Sequence, residues 1–270
     1  MPAGDPLIGR HWRSLSATPS DGVGLNLLDS MPYVKVLCYP SGSPPEAARR
    51  KESLSSMGVE TLFFEGRTEV AGLRVLGKGH VGVVVGCLWK GRRAALKIRR
   101  TDTARASLER EGEVLREANL WNIGPLLHDS SPNFLVMEEL HGRSLIEWLE
   151  GAKTLTGDEF MEVLANICAQ ARLLDIAGID HRELSDPRRH VVIQDDRRAR
   201  LLDFETASTG GRRRNVNSLL QYLTLSNAFG PVILSRLGAN REDVLGALKA
   251  YGRDPSAESY SRIMRAMNLR

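Results

Sequence analysis

Gly77, Gly79 and Gly82 punctuate the run Leu76-Gly77-Lys78-Gly79-His80-Val81-Gly82-Val83-Val84-Val85. None of the three projects a Cβ and each can take φ > 0, so this backbone can close over a polyanion. Further on, Lys97 stands alone in the apolar run Ala94-Ala95-Leu96-Lys97-Ile98. An ammonium there can reach phosphate oxygens if a carboxylate holds it in place. The next charged stretch offers Glu109, Glu111 and Glu113. On a helix, Glu111 falls three residues after Leu108, three before Val114 and four before Leu115, so it shares their face. Glu109 and Glu113 point off that face, and Glu111 is the expected partner. Asp203 closes the apolar run Leu201-Leu202-Asp203 before Phe204-Glu205. A carboxylate at a strand end facing a cleft offers the hard oxygen that Mg²⁺ prefers.

The surroundings of the glycines exclude two common phosphate loops. A dinucleotide fingerprint opens a helix after its last glycine, whereas Val83-Val84-Val85-Gly86-Cys87-Leu88-Trp89 is β-rich. Walker A requires Lys and Ser/Thr after the last glycine, and Val83-Val84 stand there instead. What remains is a glycine loop between two strands with a lysine inside the second.

Other elements must position these groups. Residues 1–31 mix Gly, Pro, Ser and Asp without period and read as an irregular lead-in. Residues 33–39 read as a strand, Pro44-Pro45-Glu46 opens a helix that ends before Gly58, and residues 59–64 form a second strand. This predicts an accessory strand–helix–strand unit over 32–66. Residues 67–137 read as a small antiparallel sheet broken by one long helix, capped by Thr101 or Asp102 and running to about Asn119. Phe134-Leu135-Val136-Met137 then leads through Glu138-Glu139-Leu140 into a mostly helical half, 138–270. Its strongest segment is 157–177, where Phe160, Val163, Leu164, Ile167, Cys168, Ala171 and Leu174 keep helical spacing. Two short β runs at 191–193 and 200–202 follow the cluster Gly178-Ile179-Asp180-His181-Arg182-Glu183-Leu184, and three or four helices complete the chain.

With 270 residues, 42% of them hydrophobic and 26% charged, the chain can bury a full core. Its net charge of +4 suits an anionic ligand without arguing for nucleic acid. Cys38, Cys87 and Cys168 lie far apart with no metal-ligand spacing, and read as buried free thiols. No apolar stretch approaches the ~20 residues of a membrane span, and residues 1–30 lack an apolar signal core. The expected location is cytoplasmic, with no membrane partner.

Taken in order, G-K-G-H-V-G-V-V, A-L-K-I, an inward Glu, a strand-to-helix hinge, H-R-E-L and D-F-E resemble the protein-kinase-like superfamily over about residues 68–267. The likeness is to its small atypical archaeal-type members: the RIO family, the kinase subunit of the tRNA threonylcarbamoyl complex, and a predicted serine/threonine kinase family sharing D-F-E. The resemblance implies an α+β bilobal fold and ATP-dependent transfer of the γ-phosphoryl group to a hydroxyl, most simply of Ser or Thr on a protein. Gly77, Lys78, Gly79, Gly82 and Val84 would cover the nucleotide, and Lys97 would pair with Glu111. Met137 would back the adenine pocket, with the Glu138 carbonyl and Leu140 amide bonding the purine. Asp203 would hold Mg²⁺, or Mn²⁺.

Three departures keep alternatives open. The H-R-D aspartate is Glu183 here, and Asp180 and Asp186 are rivals for the catalytic base. The usual H-R-D-x-x-x-x-N spacing puts Arg188 at the second metal ligand, where a guanidinium has no acceptor. A loop longer by two residues would instead place His190 there, as a ligand or as a structural histidine. Glu205 replaces the glycine of D-F-G, either assisting a metal or capping a turn, and no A-P-E follows. A small-molecule or sugar kinase, or a nucleotide-binding scaffold in an RNA-associated assembly, fits these changes too. Gly210-Gly211-Arg212-Arg213-Arg214 is a solvated loop or an anion-reading patch, while Arg49-Arg50-Lys51 and Arg197-Arg198 read as solvated surface.

Overall fold

Val83, Val85 and Cys87 are fully buried while their sequence neighbour Val84 is half-exposed, the period-two pattern of a strand with one face on a core. The computed structural model describes residues 21–152, 155–211, 214–225 and 229–269. Its first half contains β1 (Val23–Gly24), α1 (Met31–Leu37), α2 (Pro44–Ser56), β2 (Val59–Phe63) and the small hairpin β3 (Thr68–Val70)–β4 (Leu73–Val75). It continues with β5 (Gly77–Lys78), β6 (Gly82–Trp89), β7 (Arg92–Arg99), α3 (Glu109–Asn119), β8 (Leu127–Ser130) and β9 (Phe134–Met137). The main sheet has the order β1-β2-β6-β7-β9-β8, with β5 also paired to β6, and every one of these pairings is antiparallel.

The second half opens with β10 (Arg143–Ser144), α4 (Leu145–Glu150) and the long α5 (Gly157–Ala177). Thr156 and Glu159 form a capping box at the start of α5, and Gly178 ends it at φ +72°. Then come β11 (Ile179–Asp180), β12 (Val191–Ile193), β13 (Ala199–Leu201) and β14 (Ser208–Thr209). Helices α6 (Asn215–Leu225), α7 (Gly230–Leu237), α8 (Arg241–Arg253) and α9 (Ala257–Ala266) close the half. Each half has its own hydrophobic core, one built on the sheet and one on α5. The bilobal α+β architecture therefore matches the sequence reading.

Three local expectations are corrected. Residues 33–39 are not a strand: they lie mostly in α1, which buries Val34 and Leu37. The alternating Val34-Lys35-Val36 suggested β, but Pro32 sits in the first turn of a helix and packing against α2 decides the outcome. The unit over 32–66 is therefore two helices and a strand. That strand belongs to the main sheet, since β2 pairs with β6 and shares the sheet's core.

The long helix starts at Glu109, not near residue 102. Neither expected cap is available. Both carboxylate oxygens of Asp102 accept from the Arg100 guanidinium, and the Thr101 hydroxyl donates toward the carbonyls of Cys38 and Tyr39. Ser107 instead accepts from the Glu109 amide.

Arg50, expected in solvent, is 1% exposed. It donates to the Leu37 and Arg99 carbonyls at 2.6 and 2.7 Å, to Asn133 Oδ1 and to Glu46, riveting α2 to the end of β7. Arg49 is exposed and Lys51 pairs with Asp29. Arg197 and Arg198 are exposed and pair with acidic neighbours. All three cysteines are free and buried. Among the described residues no helix is long and apolar enough to cross a membrane.

Candidate active site

Strand β7 pairs along its full length with β6, setting Val84 opposite Lys97. A Cβ on Gly82 would lie 2.9 Å from Lys97 Cγ, 3.1 Å from its Cε and 3.0 Å from the Ile98 carbonyl oxygen. Only glycine at 82 lets the lysine stem lie along the sheet. Around Gly77 nothing stands within 4 Å of an added Cβ, and at Gly79 only the Gly82 carbonyl does, at 3.8 Å. The loop is tied down at its base: the Gly79 amide donates to Gly82, and Arg100 donates to the Gly79 carbonyl. Lys78 turns away toward the Tyr39 ring.

Lys97 is 5% exposed, and its Nζ lies 2.7 and 2.9 Å from the two carboxylate oxygens of Glu111. It also reaches Asp203 Oδ1 at 2.9 Å and Glu205 Oε2 at 3.3 Å. Helix α3 presents Glu111 inward beside Val114 and Leu115, while Glu109 and Glu113 are exposed. Asp203 follows β13 at φ +64°, and Arg182 sits at φ +67°. Two non-glycine residues in the left-handed region mark strain held by the surrounding structure.

The electrostatics follow from burial and crowding. Burial works against the charged Lys97, but Glu111, Asp203 and Glu205 outweigh it and hold the ammonium above its usual pKa. Glu111 is raised by burial, partly offset by Lys97. Burial opposes ionisation of Asp203, yet the Lys97 ammonium keeps its carboxyl below the usual range. Glu205 is raised by burial and then by the Asp203 charge.

Below this group, His181 is fully buried, with Nε2 3.0 Å from the Leu202 carbonyl oxygen and its ring edge-on to Phe204. Burial pushes its pKa down to about 4. The His181 amide donates to Asn215 Oδ1, and the Asn215 side chain donates to Asp175 and to the Ile179 carbonyl. Asp175 also accepts from the amides of Asn215 and Val216 and from the Tyr251 hydroxyl. This scaffold was missed in the sequence. Its signal was present: Asp175 stands four residues after Ala171 and seven after Cys168, on the apolar face of α5.

Glu183 Oε1 accepts from Thr206 Oγ1 at 2.7 Å. The other two carboxylates near it differ. Asp186 is clamped by both ends of Arg188, at 2.7 and 2.6 Å, and Asp180 lies 3.8 Å from Arg182 and packs against Gly211. His190 follows a 3₁₀ turn, with its ring centroid 6.1 Å from that of His181 and its Nδ1 without a hydrogen-bond partner. Among the described residues, the carboxylates whose oxygens gather within 4.8 Å are Glu111, Asp203 and Glu205, without His190.

Met137 ends β9 opposite Ala95, and residues 138–142 cross to β10. The Glu138 amide donates to the Leu126 carbonyl and its carboxylate accepts from Arg200, bracing this connector; Leu140 is half-buried within it. Of the arginine loop, Gly210, Gly211 and Arg214 are described and Arg214 is exposed; Arg212 and Arg213 lie outside the described residues.

The residues suit a nucleoside triphosphate with a divalent cation. Gly77 and Gly79 are open on the side where a Cβ would stand, and three carboxylates around one ammonium gather hard oxygens. Comparison with known families agrees: the model described as protein tyrosine and serine/threonine kinase matches residues 70–219, more than half of the chain.

Proposed function

The chain belongs to the protein tyrosine and serine/threonine kinase family, and on that premise we propose that it is an atypical serine/threonine kinase with an altered catalytic loop. Membership carries ATP-dependent phosphoryl transfer; the acceptor, the metal and the residue roles are our reading. The observation that carries it is the buried Lys97 ammonium held by Glu111 and touching Asp203 across the two halves.

In this reading Gly77, Gly79 and Gly82 cover the phosphates, with Lys78 and Val84 on the same hairpin. Lys97, fixed by Glu111, binds α- and β-phosphate oxygens. Met137, the Glu138 carbonyl and the Leu140 amide receive the adenine. Asp203 would hold Mg²⁺ or Mn²⁺, which would supply charge neutralisation for the phosphates. Catalysis then consists of positioning and charge stabilisation. Glu183 orients the acceptor hydroxyl and takes its proton. Asp186 is a poor rival, because Arg188 already engages both of its oxygens. His190 stays a candidate second ligand on the strength of its unpartnered Nδ1.

Few residues separate Asp203 from the start of α6 at Asn215. That supports a folded acceptor or a small one over a long docked peptide, in the manner of the RIO-type kinases. A second reading, a nucleotide-binding scaffold with little turnover, draws support from Arg188 at the usual metal-ligand spacing and from the Thr206 bond that engages Glu183. Incubation with γ-labelled ATP and Mg²⁺ or Mn²⁺ separates the two. A kinase labels itself or an acceptor, and Asp203→Asn loses that label. Tight ATP binding without any label in either metal would favour the scaffold.

A further inference from the structure

An ammonium has three N–H donors, and Lys97 has four carboxylate oxygens from three residues within 3.3 Å. No donor is left over for a phosphate. If a nucleotide is to reach Lys97, as the proposed function requires, one carboxylate must yield.

The three are not equivalent. Glu111 contributes both oxygens at the shortest distances and is 5% exposed on a helix packed into the core. Asp203 sits in a left-handed backbone conformation fixed by the flanking contacts of His181 and Phe204. Glu205 makes the longest contact, and it comes from the turn after Phe204, outside any helix or strand. It also occupies the position where the D-F-G glycine has no side chain at all.

We propose that Glu205 is an internal counter-anion: it occupies one donor of Lys97 that a phosphate would need and makes nucleotide binding conditional on a divalent cation. Without a cation, an incoming phosphate must displace Glu205 and then lie against the uncompensated charges of Asp203 and Glu205. With one bound among the carboxylates, Glu205 and Asp203 gain a stronger partner and release Lys97. Glu205 thus acts as a positioning residue that sets the order cation before, or together with, nucleotide. This inference rests on the nucleotide-site reading above.

The test is calorimetric binding of ADP, with either EDTA or excess Mg²⁺, to the full chain and to Glu205→Gln and Glu205→Asp, each checked for an unchanged melting curve. Glu205→Gln should tighten cation-free ADP binding about tenfold or more, the scale of one charge-assisted hydrogen bond. The advantage conferred by Mg²⁺ should shrink to match. Glu205→Asp keeps the charge but shortens the arm, and should move in the same direction. Equal cation-free affinity for the wild type and Glu205→Gln would overturn the counter-anion and leave the kinase reading standing. Glu205→Asp behaving as wild type while Glu205→Gln tightens would also overturn it, since charge alone, not the contact, would then be responsible. ADP binding to none of the proteins with or without Mg²⁺ would overturn this inference and the reading beneath it together.

Discussion

Thr206 Oγ1 donates a 2.7 Å hydrogen bond to Glu183 Oε1 and lies 3.2 Å from the His181 carbonyl oxygen. The residue that follows D-F-E is therefore joined to the carboxylate we propose as base, and the loops that carry Asp203 and Glu183 share one hydrogen bond. Glutamate has a longer arm than the usual aspartate, and this bond restrains the additional torsion.

Thr206→Val should accordingly lower kcat by about tenfold, the scale of one hydrogen bond to a charged group, while leaving KM for ATP near its original value. Thr206→Ser should restore most of the rate. Steady-state kinetics on the three proteins checks this; a fall in ATP affinity with unchanged kcat would place Thr206 in nucleotide binding instead.

Arg50 supplies a stability prediction remote from the site. It satisfies two backbone carbonyls and Asn133 from inside the core. Arg50→Ala strips the two carbonyls of this donor, leaves Asn133 Oδ1 with Arg99 alone among the described residues and opens a cavity, at a cost of about 3 kcal/mol. Arg50→Lys should recover little, because an ammonium cannot reproduce the planar fork. Denaturant melts of the three proteins measure both effects.

Tyr251 gives Asp175 its only side-chain hydroxyl donor among the described residues. Tyr251→Phe should destabilise the helical half by about 1–2 kcal/mol. Asn215→Ala should do more, and should also lower activity, because Asn215 accepts from the His181 amide at the base of the loop that carries Glu183. Thermal melts read alongside transfer rates separate the two residues.

His181 sets a pH dependence. Its folded pKa, about 4 through burial, lies below the ordinary value of 6.5. The folded state thus prefers the neutral ring, so the stability tied to it is complete above about pH 6.5 and is lost as pH falls toward 4. The loss at the lower end is about 3 kcal/mol. Unfolding free energies measured across that window should fall more steeply for wild type than for His181→Asn, whose side chain does not titrate; parallel curves would refute the assignment.

Much of this site was legible because chemistry and periodicity coincided. Glu111 was separable from Glu109 and Glu113 by helical phase alone, and the apolar spacing from Phe160 to Leu174 marked α5. The α1 helix was not legible, because Val34-Lys35-Val36 alternates as a strand does and the helix depends on packing against α2. The start of α3 was misjudged for a related reason. Thr101 and Asp102 have the right side chains for a cap, but partners distant in sequence claim them, Cys38 and Tyr39 for Thr101. Arg50 and Asp175 are polar residues on otherwise ordinary segments whose burial depends on residues far along the chain. The role proposed for Glu205 rests on four distances to one nitrogen, which no spacing encodes.

We propose the Lys97 ammonium, held by Glu111, as the phosphate-binding group of this kinase. Transfer of label from γ-labelled ATP by wild type and by Lys97→Met, both folded by circular dichroism and assayed with saturating Mg²⁺ or Mn²⁺, tests it most directly. Lys97→Met should lose at least about 10²-fold in transfer, the scale of a displaced or missing positioning group. Transfer within a few-fold of wild type would contradict it.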